Sequence, residues 1–170
     1  MAEIWVANAS PVIALAKCGL IRLVEDLTDE VWIPKPVVQE ILNGPESDPA
    51  RMLLERGFGK TVEVQRTPGE LLEWGLGVGE SSVIACCLGH PGSRAVLDDA
   101  AARICARSFG IPIIGTLGII VRARQERLLK SAADALAALR GSGLYLADSL
   151  VDSILRTLGE QPPNDSSNSE

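Results

Sequence analysis

Arg94-Ala95-Val96-Leu97-Asp98-Asp99 reads as a short apolar strand that ends abruptly in two adjacent carboxylates. Side-by-side carboxylates repel unless positive charge lies close by. Open α/β sheets present their sites at the carboxyl edge of the strands, with a helix starting behind them. The pair is therefore expected to hold one side of a metal site.

Downstream, Ala100 to Phe109 is an alanine-rich helix ended by Gly110, and Ile111-Pro112-Ile113-Ile114 is a strand running into Gly115-Thr116-Leu117-Gly118 and a helix to about Arg127. Upstream, the glycine-rich loop Gly75 to Glu80 leads into a helix from Ser81 to Leu88 and a turn, His90-Pro91-Gly92-Ser93. At the start of the chain Ile4 to Ala7 is a strand. Asn8-Ala9-Ser10-Pro11 then offers cap residues, with proline at a first helical position. That helix stops around Gly19, and a second begins at Leu20, with Leu20, Leu23, Val24 and Leu27 at helical spacing.

Val31-Trp32-Ile33 is another strand. Pro34 and Pro36 introduce the helix Val37 to Leu42, which contains Glu40 and ends at Asn43-Gly44-Pro45. Asp48 to Phe58 reads as helix, Thr61 to Val64 as an edge strand, and Ser131 to Arg140 and Ala147 to Leu158 as two closing helices. Strands alternating with helices predict an α/β fold with a mainly parallel central sheet, covered on both faces.

The 170 residues, 46% hydrophobic and 22% charged, fit one domain with a buried core. We expect it to span 1–160, followed by a disordered C-terminal tail over 161–170, where no residue can pack. No apolar run approaches the roughly 18–20 residues of a membrane span, and Met1-Ala2-Glu3 lacks a basic signal-peptide start, so the expectation is a cytoplasmic protein without membrane contact. Cys18, Cys86, Cys87 and Cys105 show no CxxC spacing and read as reduced core thiols.

The net charge of −6 argues against indiscriminate coating of nucleic acid. The charge is segregated, however. Residues 1–99 hold 15 acids and 8 bases, whereas Arg103, Arg107, Arg122, Arg124, Arg127 and Lys130 face one acid, Glu126, in their stretch. A phosphate-facing patch including Arg103, Arg122 and Arg124 is one reading; a solvated helix face is the plainer one.

Several function classes drop out. Gly75, Gly77 and Gly79 do not form GxGxxG, there is no GxxxxGK[ST], and no receiver-type lysine follows the late acidic pair. The single histidine, His90, sits in a turn and reads as neither ligand nor base, and no Ser/His or Cys/His set can be assembled.

What remains is a set of oxygen donors. Asn8 ends the first strand, Glu40 lies in the helix after the second, Glu80 starts the helix before the next, and Asp98 and Asp99 end that strand. In a parallel sheet such positions meet on one edge. Oxygen-only ligands point to Mg²⁺ or Mn²⁺, which suit phosphodiester hydrolysis.

In order and spacing, Asn8-Ala9-Ser10-Pro11-Val12-Ile13, Ile33-Pro34 with Val37 to Glu40, Gly79-Glu80-Ser81, Leu97-Asp98-Asp99 with Ala102-Arg103, and Ile114-Gly115-Thr116-Leu117-Gly118 resemble a PIN-domain protein. The likeness is to the prokaryotic PIN-like subgroup related to the VapC toxins. It implies a three-layer α/β/α fold and a magnesium-dependent endoribonuclease. By position, Asn8 stands where the family has its first aspartate, Glu40 its second acid, Glu80 its third and Asp99 its fourth, with Asp98 beside it. Asn8, Glu80, Asp98 and Asp99 are then the expected metal ligands, and Ser10, Thr116, Arg103, Arg122 and Arg124 the expected substrate contacts. The resemblance also implies RNA, an antitoxin-like protein partner and a homodimer. Asn8 departs from the pattern: it brings no charge, which leaves a catalytically silent PIN-fold module binding RNA or a partner as the alternative.

Plainer roles exist for each residue. Asn8 and Ser10 can cap a helix, Glu80 can favour a helix N-terminus, Glu40 can be a solvated helix residue and Thr116 a cap. One of Asp98 and Asp99 is expected to be a cap, while repulsion argues against both being structural.

Overall fold

A computed structural model describes residues 1–161. Five strands form its sheet: β1 (Ile4–Ala7), β2 (Glu30–Pro34), β3 (Lys60–Val62), β4 (Arg94–Val96) and β5 (Ile113–Ile114). Their order is β3-β2-β1-β4-β5 and all pairings are parallel. The connections carry α1 (Ala9–Lys17), α2 (Arg22–Leu27), α3 (Lys35–Leu42), α4 (Pro49–Glu55), α5 (Gly69–Leu72), α6 (Val78–Gly89) and α7 (Ala100–Ser108); α8 (Thr116–Gln125), α9 (Ala132–Gly141) and α10 (Asp148–Thr157) follow the last strand. This is the three-layer α/β/α arrangement.

β1 is central and apolar because a parallel strand is buried on both faces. Trp5 and Val6 are fully buried there, with Leu15, Ile33, Ile84 and Leu97 in the same core. α6 is the most enclosed helix. Val83 to Cys87 are all buried, so it is apolar around its circumference, and it packs over β2, β1 and β4.

The strand order places the site. From β1 the chain winds outward to β2 and β3, then returns through α5 and α6 to β4 on the other side of β1. The crevice between the carboxyl ends of β1 and β4 is thus the switch point where open α/β sheets bind ligands. Ala7 pairs with Val96, and the Asn8 amide donates to the Val96 carbonyl at 3.1 Å. Asn8 and Asp98-Asp99 leave the sheet side by side.

Boundaries differ modestly from the expectations. α6 begins at Val78, so Gly79 and Glu80 belong to its first turn and not to a loop. β3 starts at Lys60 and stops at Val62 as an edge strand. α8 stops at Gln125, and Arg127 adopts a left-handed φ of 63° just beyond it. No described helix is long and apolar enough to cross a membrane. The tail expectation falls, except for Gln161, outside the described residues.

Candidate active site at the carboxyl edge of the sheet

Asn8 occupies the N-cap position of α1, yet its side chain makes no capping hydrogen bond. The capping role is therefore not the one it plays. Its Nδ2 donates to Glu80 Oε1 at 3.3 Å across 72 residues of sequence. Its Oδ1 is buried and has no hydrogen-bond partner, in a residue only 3% exposed. An unpaired buried polar oxygen costs free energy on the order of 1–3 kcal/mol, and such an atom fits the role of a donor to a bound cation.

Gly79 explains how that oxygen is reached. A Cβ on Gly79 would lie 2.8 Å from Glu40 Oε2 and 3.0 Å from Asn8 Oδ1. Both oxygens converge on the space that the missing side chain leaves open. With Glu80 held by the Asn8 amide, α1, α3 and α6 bring Asn8, Glu40 and Glu80 together. The converging donors are all oxygens, and oxygens facing one another without an intervening hydrogen fit a hard cation such as Mg²⁺ or Mn²⁺.

Asp98 and Asp99 turn to other work. Gly115, the N-cap of α8, has no side chain to cap with. Asp98 supplies the cap from the end of β4: its Oδ1 accepts from the Thr116 amide at 2.7 Å and its Oδ2 from the Thr116 hydroxyl at 2.6 Å. Asp99 is the N-cap of α7 and accepts from the Ala102 amide at 2.8 Å. Both carboxylates of the pair cap a helix, where one cap was expected: Asp98 through both oxygens, Asp99 through Oδ1 alone. Repulsion is relieved because they serve two different helix N-termini, each electropositive. Among the described residues, no three His, Cys, Asp or Glu side chains gather as a metal cage. The contacts bring Asn8, Glu40 and Glu80 together and commit both oxygens of Asp98 to Thr116.

The other expected contacts separate clearly. Arg103 stays at the edge, with Nη1 3.4 Å from the Leu97 carbonyl and its guanidinium packed over Gly115, where a side chain would collide with it. Thr116 is buried and spent on Asp98. Ser10 is exposed and lines a shallow hollow with Ile13, Ala14 and Gly143. Arg122 is bound at the opposite edge of the sheet: its guanidinium grips Glu3 at 2.9 and 3.1 Å, donates to Glu126 at 2.9 Å and lies 5.3 Å from the Trp5 ring centroid. Arg124 donates to Glu160 at 2.6 Å. Both guanidiniums are thus matched by carboxylates within the fold.

The cysteines are free, and burial pushes Cys86 up to about 11 and Cys87 up to about 12, so neither is a thiolate near neutrality. The chemistry of this edge therefore rests on oxygen donors at the switch point of a parallel three-layer sheet. Residues 4–160 match the family model DUF3368, a PIN domain, and the chain belongs to that family. The PIN domain is a nuclease-type fold whose members generally use divalent metals. No curated protein matches the chain.

Proposed function

We propose that this protein is a divalent-metal-dependent endoribonuclease of the VapC-like kind, with Mg²⁺ or Mn²⁺ held at Asn8, Glu40 and Glu80 and Asp99 at the rim. The buried, partnerless Oδ1 of Asn8 carries the reading. When bound, such a cation favours deprotonation of water and offsets charge building on the phosphate and the leaving oxygen. The chain's own residues set the stage. Asn8 anchors Glu80 through its amide, Gly79 leaves the space in which Glu40 and Asn8 meet, and Asp98 fixes the junction between β4 and α8. Arg103, on α7 at the same edge with Nη1 3.4 Å from the Leu97 carbonyl, is the cation this reading assigns to a backbone phosphate. RNA as substrate, an antitoxin-like partner and a homodimer rest on the resemblance of the motifs to the VapC-related subgroup.

An endonuclease assay on small structured RNAs with Mg²⁺ or Mn²⁺ tests this. Asp99→Asn is the informative variant because asparagine caps a helix as well as aspartate does, so α7 is spared while the rim charge is lost. Metal-dependent cleavage that Glu40→Gln and Asp99→Asn abolish supports the proposal. Failure to bind either metal by calorimetry sinks it.

A second reading is a silent PIN module that binds RNA or a partner without cutting. The neutral Asn8, in place of a carboxylate, favours it, since one fewer negative charge weakens the hold on a cation. RNA binding without cleavage at any metal concentration is its signature.

A further inference from the structure

The C-terminal end of α6, far from the acids, closes a second feature. A hollow of about 570 Å³ lies between β2, β3, the segment following β3 and the end of α6, within the size range of small-molecule sites. The Trp32 and His90 rings meet edge to face there with centroids 4.6 Å apart, and Val62 and Leu88 add apolar wall. The indole is fixed by its Nε1 donating to Glu30 Oε2 at 2.7 Å.

The lining is cationic in a protein of net charge −6. Among the described residues Lys60 and Arg66 form no ion pair, while the one acid of the lining, Glu63, is engaged by Lys35 at 2.9 Å. Lys60 Nζ rests 5.1 Å from the Trp32 ring centroid. An exposed cation–π contact is weak, so an incoming anion can draw the ammonium off and bare the ring. His90 Nδ1 lies 3.0 Å from the Cys86 carbonyl. A carbonyl only accepts, so Nδ1 carries the hydrogen and Nε2 is left for a ligand.

We propose that this hollow binds a nucleotide, its base against the Trp32 and His90 rings and its phosphate at Lys60 and Arg66. Ring faces with nearby cations are the chemistry that holds unpaired nucleotides without reading sequence. The nucleotide has two possible sources. From Glu80 to His90 α6 rises about 15 Å, so an RNA strand at the acid edge can reach the hollow with a nucleotide a few residues away; a free mononucleotide fits equally well. Only the RNA source rests on the proposed nuclease activity.

The test is calorimetry in EDTA, which keeps the acid edge out of the measurement, using adenosine monophosphate, adenosine, inorganic phosphate and a single-stranded RNA pentamer. The monophosphate or the pentamer should bind, with adenosine and phosphate each weaker by about tenfold or more. Lys60→Gln with Arg66→Gln, both exposed positions, should weaken binding by about tenfold or more at an unchanged melting temperature. Binding of the pentamer alone assigns the hollow to an RNA strand; binding of the monophosphate assigns it to a free nucleotide. No binding of either, phosphate binding as tightly as the monophosphate, or binding indifferent to the double variant overturns the proposal. Because metal is absent throughout, a dead acid edge would leave these results untouched.

Discussion

Asp98 takes both of its hydrogen bonds from Thr116, one from the hydroxyl at 2.6 Å and one from the amide at 2.7 Å. The contact joins the end of β4 to the start of α8 and supplies the cap that Gly115 lacks. Gly115 is required for it, since a Cβ there would lie 2.9 Å from Asp98 Oδ1 and run into Arg103. One acid is thereby committed to architecture.

Thr116→Val should lower stability by about 1–3 kcal/mol, because valine keeps the amide but leaves Asp98 Oδ2 without its donor in a half-buried place. At roughly 2–4 °C per kcal/mol for a chain of this size, the melting temperature should fall by about 2–12 °C. Thr116→Ser keeps the hydroxyl and should lose much less. Thermal denaturation followed by circular dichroism decides it, and an unchanged midpoint in the valine variant would show the bond to be idle.

Asn8→Asp tests the orphaned oxygen. The change puts a buried carboxylate against Glu80, replaces the 3.3 Å hydrogen bond with repulsion and adds a charge where the residue is 3% exposed. In EDTA the variant should be less stable than wild type by about 1–3 kcal/mol or more. Saturating Mn²⁺ should return most of that loss, about 2.7 kcal/mol when the ion is at 100 times its dissociation constant. Melting curves with and without Mn²⁺ read both effects, and a variant that the ion does not stabilise more than wild type rules out a metal at Asn8.

Glu3 sets a pH window. The Arg122 guanidinium bound to it, with help from the Trp5 indole, holds the Glu3 carboxyl at about 2, below its ordinary 4.5. A folded-state value below the unfolded one contributes stability that is full above the unfolded value and is lost as pH falls toward the folded value. Urea midpoints should therefore drop between about pH 4.5 and pH 2, and Glu3→Gln should flatten that stretch of the curve. Arg122→Gln should cost about as much as Glu3→Gln, and the double variant little more than either alone. If instead Arg122→Gln spares stability and reduces the salt dependence of RNA binding, the arginine belongs to a phosphate contact after all.

Legibility in the sequence followed the physics of each signal. The strands were readable because Ile4 to Ala7 and Arg94 to Leu97 are short apolar runs bounded by cap and turn residues, and in a parallel sheet such runs fix which edge Asn8 and Asp98 reach. The roles at that edge were harder. Asp98 reads as a ligand until Thr116, 18 residues away, is seen to use both its oxygens, and Arg122 reads as a free cation until Glu3, 119 residues away, is seen to hold it. Partnerships across such separations leave no local pattern. Gly115 was the one available cue, because an N-cap glycine leaves α8 in want of a cap from elsewhere. His90 lies in a turn that gives it no local partner, and only the packing of β2 against α6 brings it to Trp32.

Gly79→Ala separates the geometry of the acid edge from its stability. In the first turn of α6 alanine should help the helix by about 0.5–1 kcal/mol. Its Cβ, however, would stand 2.8 Å from Glu40 Oε2 and 3.0 Å from Asn8 Oδ1. Glu40 is exposed and its long side chain can swing into solvent, whereas Asn8 is buried and cannot. The two oxygens should part at little net cost, leaving the melting temperature within a few degrees of wild type. A displacement of about 1 Å costs a catalytic arrangement about 100-fold, so Mn²⁺ affinity by calorimetry and any RNA cleavage should fall together. A Gly79→Ala protein that binds Mn²⁺ as tightly as wild type would place the metal away from the Asn8 and Glu40 pair and leave Gly79 a matter of packing.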